Sequence, residues 1–286
     1  MDKKIIYTNS IAIAFLALIA TLAGLFWKEL YQHDTISGAA QMMGQDLVTL
    51  GICIPILLGT LYLIRKDSLR GKLIWMGTIF YFLYSYASMA FLTSYNQLFL
   101  VYVAIFSLSL YTLLGELLSL DIRSIKKSFT PGVIQKITAI FLVIIGLMLA
   151  GMWLKMIVSS LLTGVAPSTL ETYTTLVIQA LDLGVVVPAA LITGLLLFKG
   201  KEWGYALASI LLMKVSLLGS AILSMIYFMV QNGVNIELGQ AMFFIIVTVL
   251  GIIITVAFYS RIKDPMNGNK YIKLNKGDKR TMIRVE

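Results

Sequence analysis

The stretch Thr172–Val230, TYTTLVIQALDLGVVVPAALITGLLLFKGKEWGYALASILLMKVSLLGSAILSMIYFMV, contains two apolar runs separated by the short basic turn Lys199-Gly200-Lys201. Each run exceeds the roughly 18 residues needed to cross a bilayer, and neither alternates in the manner of a strand. A hydrocarbon interior offers no water to exposed peptide groups, so both runs are predicted to be transmembrane helices. One acid, Asp182, interrupts the first run and one amine, Lys214, the second.

Outward from this pair the same pattern recurs. Further spans are predicted at Ser10–Trp27, Asp46–Ile64, Leu73–Thr93, Leu98–Leu120, Val133–Ile157 and Leu238–Tyr259, with the central pair at Thr172–Phe198 and Trp203–Val230. The expected fold is therefore all-α, a polytopic transmembrane helical bundle of eight spans. With 286 residues, 59% of them hydrophobic and 13% charged, and a mean hydropathy of +0.88, the chain is too apolar for an ordinary aqueous surface, which excludes a soluble enzyme. Lys3 and Lys4 ahead of an apolar stretch resemble a secretory leader. Phe26-Trp27-Lys28-Glu29 then stand where small residues would mark a cleavage site, so a retained first helix is expected.

The cations fix an orientation. Of the 23 Lys and Arg, all but Lys28, Lys155 and Lys214 fall at the N-terminus, in alternate loops (Arg65 to Lys72, Arg123 to Lys136, Lys199 and Lys201) or after Tyr259. Under the positive-inside bias both termini face the cytoplasm, and an odd number of spans would scramble the separation. This distribution also accounts for the net charge of +9 by topology and anionic lipid headgroups, with no nucleic-acid partner expected. Residues 1–262 are read as the membrane domain and 263–286 as a basic, flexible cytoplasmic tail attracted to anionic headgroups.

An internal repeat is suggested by aligning Pro55 with Pro188. Basic turns follow both prolines, and Gly71 and Gly204 then fall at the same offset. Halves 1–128 and 129–262 would each hold four helices and keep the same orientation, giving a parallel 4+4 arrangement about an axis along the membrane normal.

Asp182 and Lys214 are the leading site candidates. Counted along their spans, both come near mid-depth, where an isolated charge costs at least a few kcal/mol and pairing, or a wet cavity, is the economical arrangement. Gln179 shares a helical stripe with Asp182, and Asp46 opens a similar polar stripe on the second span. Tyr81, Tyr84 and Tyr102 are phenols within spans that need hydrogen-bond partners, so they join the candidate ligand-binding set. The alternative is that all of these residues only fix helix packing. On the side away from the basic loops, Glu29, His33, Asp34, Asn96 and Glu171 would form a polar rim.

Cys53 and His33 are each the only residue of their kind, so an intrachain disulfide, a CxxC pair and a bis-histidine haem are excluded. No metal and no cofactor is expected, and no catalytic residue is assigned.

The run Gly44-Gln-Asp-Leu-Val-Thr-Leu with Pro55, the stretches Phe82-Leu-Tyr-Ser-Tyr-Ala-Ser-Met-Ala-Phe and Asn96-Gln-Leu-Phe-Leu-Val-Tyr, and Leu181-Asp-Leu before Pro188 resemble a group of bacterial eight-span integral membrane proteins to which no activity is assigned. The resemblance implies a prokaryotic plasma membrane and nothing about chemistry. A lysine in the seventh span also invites comparison with retinal-binding helices, but an eighth span follows it and the carboxylates do not match the rhodopsin third-helix pattern.

Three functions compete. The first is a carrier or binder of a small ligand or ion at Asp182 and Lys214. The second is a non-enzymatic sensor, immunity or assembly partner whose buried charges only specify packing. The third and weakest is an intramembrane lipid-modifying enzyme using Asp46, Asp182 or Glu116, for which no nucleophile-base or phosphate-binding motif is legible.

Overall fold

The computed structural model describes residues 1–263, so the expected tail lies, from residue 264 on, outside the described residues. Among the described residues eight helices are long and apolar enough to cross a membrane, and the chain is a multi-pass integral membrane protein. They are α1 (Lys3–Phe26), α2 (Ile36–Arg65), α3 (Leu69–Leu92), α4 (Phe99–Leu118), α6 (Val133–Thr163), α7 (Val177–Phe198), α8 (Glu202–Gln231) and α9 (Leu238–Tyr259). A short helix α5 (Ile122–Ser128) lies between α4 and α6.

Local chemistry sets the helix ends. Thr35 caps α2 by accepting the Gly38 amide at 2.9 Å, and Ser68 caps α3 through the Gly71 amide at 3.0 Å. The second span starts at Ile36, well before the expected Asp46, because its polar-looking opening turns bury a small-residue face. Gly44 lies against the Met225 backbone of α8 so closely that a Cβ there would sit 2.5 Å from Met225 Cα. Close approach through Gly and Ala is the normal means of helix association where lipid supplies no hydrophobic drive. The sixth span, in contrast, starts later than expected, at Val177, after a single 3₁₀ turn at Ser168–Leu170 and an irregular segment.

The helix α8 is the central post, packing against α2, α3, α7 and α9. Its buried side includes Ala206, Ala208, Gly219 and Ala221, together with Lys214.

Contacts gather the loops onto two faces. On one, Lys3 pairs with Asp67 at 2.6 Å, Lys72 and the Met1 amine both pair with Glu116, Lys126 reaches Glu202 at 3.6 Å, and Arg70 donates to the Ile262 carbonyl at 2.7 Å. These are the basic loops that charge counting assigned to one side. On the other face, Asp34 accepts the Ser94 amide at 2.9 Å and the Tyr173 hydroxyl at 3.1 Å.

Pro55 and Pro188 occupy matching settings. Each follows a five-residue π-helical segment, Thr49–Cys53 or Asp182–Val186, and each opens a twelve-residue α-helical segment ending at Arg65 or Phe198. Proline lacks an amide and its ring crowds the preceding turn, and a π segment accommodates both defects. The spacing that carries Pro55 onto Pro188 also carries Phe129 onto Ile262, and these two residues form an isolated antiparallel bridge. Its hydrogen bonds, Thr130 amide to Arg261 carbonyl and Lys263 amide to Ser128 carbonyl, both 2.8 Å, exchange places under the same shift.

Candidate functional site

A cavity of about 490 Å³ reaches from the non-basic face, where Ser37, Glu171, Tyr173 and Asn235 line it, down to Asp182 and Lys214. Its walls are mainly apolar, with Leu149, Leu218, Ile222, Phe244 and Val247 among them, and its polar groups include Gln41, Gln45, Ser88 and Gln179. That size and mixture match small-molecule sites, which run from roughly 300 to 1,000 Å³.

Asp182 sits in the π segment of α7, 6% exposed, and both its oxygens are engaged. The Tyr84 hydroxyl of α3 donates to Oδ1 at 2.7 Å and the Trp153 indole N–H of α6 donates to Oδ2 at 2.8 Å. Lys214, on α8, is 1% exposed, and its Nζ stands 3.9 Å from the centre of the Tyr84 ring and 5.9 Å from that of Phe80. Among the described residues no ion pair and no hydrogen bond engages Lys214. The expected direct pairing with Asp182 is replaced by an indirect connection, in which one tyrosine binds the acid through its hydroxyl and the amine through its ring face.

Counted along the helices, Lys214 is set closer to the basic-face end of its span than Asp182. Measured from the basic-face end of each helix at about 1.5 Å per residue, Lys214 stands about 18 Å up α8, Tyr84 about 22 Å up α3 and Asp182 about 24 Å up α7. The phenol fills the step in height. A cation over an aromatic face keeps some electrostatic stabilisation, about 0.5–2 kcal/mol, without a hydrogen bond.

Four of the sequence candidates therefore line one cavity: Asp182, Lys214, Gln179 and Tyr84. The other three lie together elsewhere. Asp46 accepts from Tyr31 at 2.7 Å and is packed against Gly24, where a Cβ would collide with its carboxyl group. Tyr81 shares a 2.7 Å hydrogen bond with Thr49, and the Tyr102 ring lies tilted against that of Tyr86 with centroids 6.1 Å apart. None of these three lines the cavity. Glu116 is taken up by Lys72 and the N-terminal amine at the basic face.

Trp153 was not a sequence candidate. It stands in a span whose apolarity gives it the appearance of a lipid-facing or interfacial residue, and only the fold turns its N–H towards Asp182. Tyr173 was likewise unmarked. Burial and the neighbouring Asp34 carboxyl push its phenol up to about 12, while burial raises the Asp34 carboxyl above its ordinary value against the lowering effect of the Ser94 and Tyr173 donors. The two residues tie the irregular segment before α7 to the loop before α2, at the mouth of the cavity.

The spacing that relates the prolines places Thr49 opposite Asp182 and Tyr81 opposite Lys214. Thr49 and Tyr81 are in direct contact and sealed in the core, whereas Asp182 and Lys214 share no hydrogen bond and both line the cavity. No protein-family model, curated protein or solved structure matches this chain.

Proposed function

We propose that this protein is a carrier for a small ligand held at Lys214, Asp182 and Tyr84, inserted in a prokaryotic plasma membrane with its basic face in the cytoplasm. The observation that carries the reading is a buried amine with no hydrogen-bond partner among the described residues, at the base of a cavity that runs to one face. A lysine placed only for packing is expected to be paired, since an unpaired buried charge is costly. The proline correspondence, together with a bridge between two residues related by the same spacing, supports two like halves, the arrangement on which rocking carriers are built. The basic loops on one face support the cytoplasmic assignment, and the resemblance to bacterial eight-span proteins supports the prokaryotic membrane. The lipid-modifying reading loses support because Asp46 and Asp182 do not share a cavity.

Sided thiol labelling tests the proposal. In a Cys53→Ser background, which removes the only native thiol, Ser88→Cys places a thiol on the cavity wall. In oriented proteoliposomes a membrane-impermeant methanethiosulfonate is expected to label it from the Tyr173 face quickly and from the basic face slowly. Labelling from the Tyr173 face alone reduces the protein to a receptor or binder, and absence of labelling from both faces overturns the site.

A further inference from the structure

Within the reading of this cavity as a ligand site, we infer that its ligand is an organic anion, a carboxylate on an apolar body, with the carboxylate held by Lys214. The charge inventory of the cavity leads to this class. Among the lining residues the carboxyl and amino side chains are those of Glu171, Asp182 and Lys214. Glu171 is exposed at the mouth, and Asp182 already accepts from Tyr84 and Trp153, one donor on each oxygen. Lys214 has three N–H donors, no hydrogen-bond acceptor among the described residues and an aromatic face beneath it.

A cation-binding site has the opposite character. It presents carboxylate or carbonyl oxygens that no donor has engaged, whereas here each Asp182 oxygen already accepts a donor and Lys214 has no hydrogen-bond acceptor among the described residues. A bound carboxylate supplies an acceptor for Lys214 through a charge-assisted hydrogen bond. Tyr84 makes the assignment specific: by accepting its hydroxyl and standing off from the amine, Asp182 leaves the ammonium group unneutralised by direct contact. The apolar walls then select the body of the ligand, with Gln41, Gln45 and Gln179 as the polar groups along its length.

An isosteric series tests the class: 4-phenylbutyrate, 4-phenylbutan-1-ol and 4-phenylbutylamine, titrated calorimetrically against the full chain in phosphatidylcholine nanodiscs. The carboxylate is expected to bind at least about tenfold tighter than the alcohol, and the amine weakest. Lys214→Met is expected to erase the preference for the carboxylate, whereas Lys214→Arg keeps it, so a cation and not merely an intact fold is needed. Equal binding of the three compounds to the native chain, preference for the amine, or a carboxylate preference that survives Lys214→Met overturns the anion assignment. Ser88→Cys labelling separates this failure from failure of the site. A thiol that is labelled yet gains no protection from phenylbutyrate leaves the cavity standing and removes the ligand class, while a thiol that never reacts removes both. Decanoate added to the bilayer distinguishes the source: displacement of phenylbutyrate points to a membrane-derived acid and lack of displacement to an aqueous one, both within the proposed class.

Discussion

Tyr84 makes two separable contacts, and conservative truncation dissects them. Tyr84→Phe removes the hydroxyl that donates to Asp182 and keeps the ring 3.9 Å from Lys214 Nζ; Tyr84→Leu removes both. Hydrogen bonds between membrane helices average about 0.6 kcal/mol and reach about 1.7, while bonds to charged groups in general lie at about 1.5–3. Tyr84 is buried and Asp182 keeps only the Trp153 donor, so Tyr84→Phe is expected to cost about 1–2 kcal/mol. The loss of the ring adds about 0.5–2 kcal/mol for the cation–π contact and about 2 or more for the cavity left behind, giving the order native, Tyr84→Phe, Tyr84→Leu. The assay is reversible unfolding in mixed micelles, read by near-UV circular dichroism, with Asp182→Asn completing a double-mutant cycle. A coupling of at least about 1 kcal/mol between Tyr84→Phe and Asp182→Asn is expected. Equal stability of Tyr84→Phe and Tyr84→Leu, or a coupling near zero, refutes the bridging role assigned to the phenol.

Glycine substitutions separate packed from open helix faces. Gly44→Ala, which drives a Cβ into the Met225 backbone, is expected to destabilise the protein by about 1–3 kcal/mol, whereas Gly59→Ala meets nothing within 4 Å and is expected to be neutral or stabilising by up to about 1 kcal/mol; thermal unfolding of the two variants compares them. The mouth latch is expected to depend on pH. Since the folded-state value of Asp34 is raised above the ordinary 3.8, its contribution is fully present below that value and is lost as pH climbs through the raised one. Amide exchange across residues 168–176, corrected for intrinsic rates, should therefore rise as pH climbs from the ordinary carboxylate value through the raised one, and Asp34→Asn should flatten the dependence.

Apolar runs and the parity of the cations make the eight helices and their two faces legible before any coordinate is known, because both follow from the bilayer as a solvent. Their ends are less legible. The opening of α2 contains Ser37, Gln41 and Gln45 and reads as a loop, yet Gly44 and the Thr35 cap hold it helical against α8. The stretch ahead of Val177 is the converse, because hydropathy does not reveal where a helix fails to begin. At the site, Asp182 and Lys214 stand out as charges in hydrocarbon, and their shared cavity follows from nearly matched depths. Their separation does not, because a difference of a few ångströms in height depends on how α3, α7 and α8 are set against one another. The same limit hides Trp153 and groups Asp46, Tyr81 and Tyr102 with the cavity: polarity along a helix reveals that a partner is needed, not which interface supplies it.

The Phe129–Ile262 bridge joins the segment after α5 to the end of α9 through main-chain groups, with Thr130 and Lys263 as donors and Ser128 and Arg261 as acceptors. Side-chain identity at these four positions is therefore almost free to drift without loosening the seam. Proline at Thr130 or Lys263 is the exception, since it deletes a donor outright. A join of this kind can persist while the side chains on either side of it change.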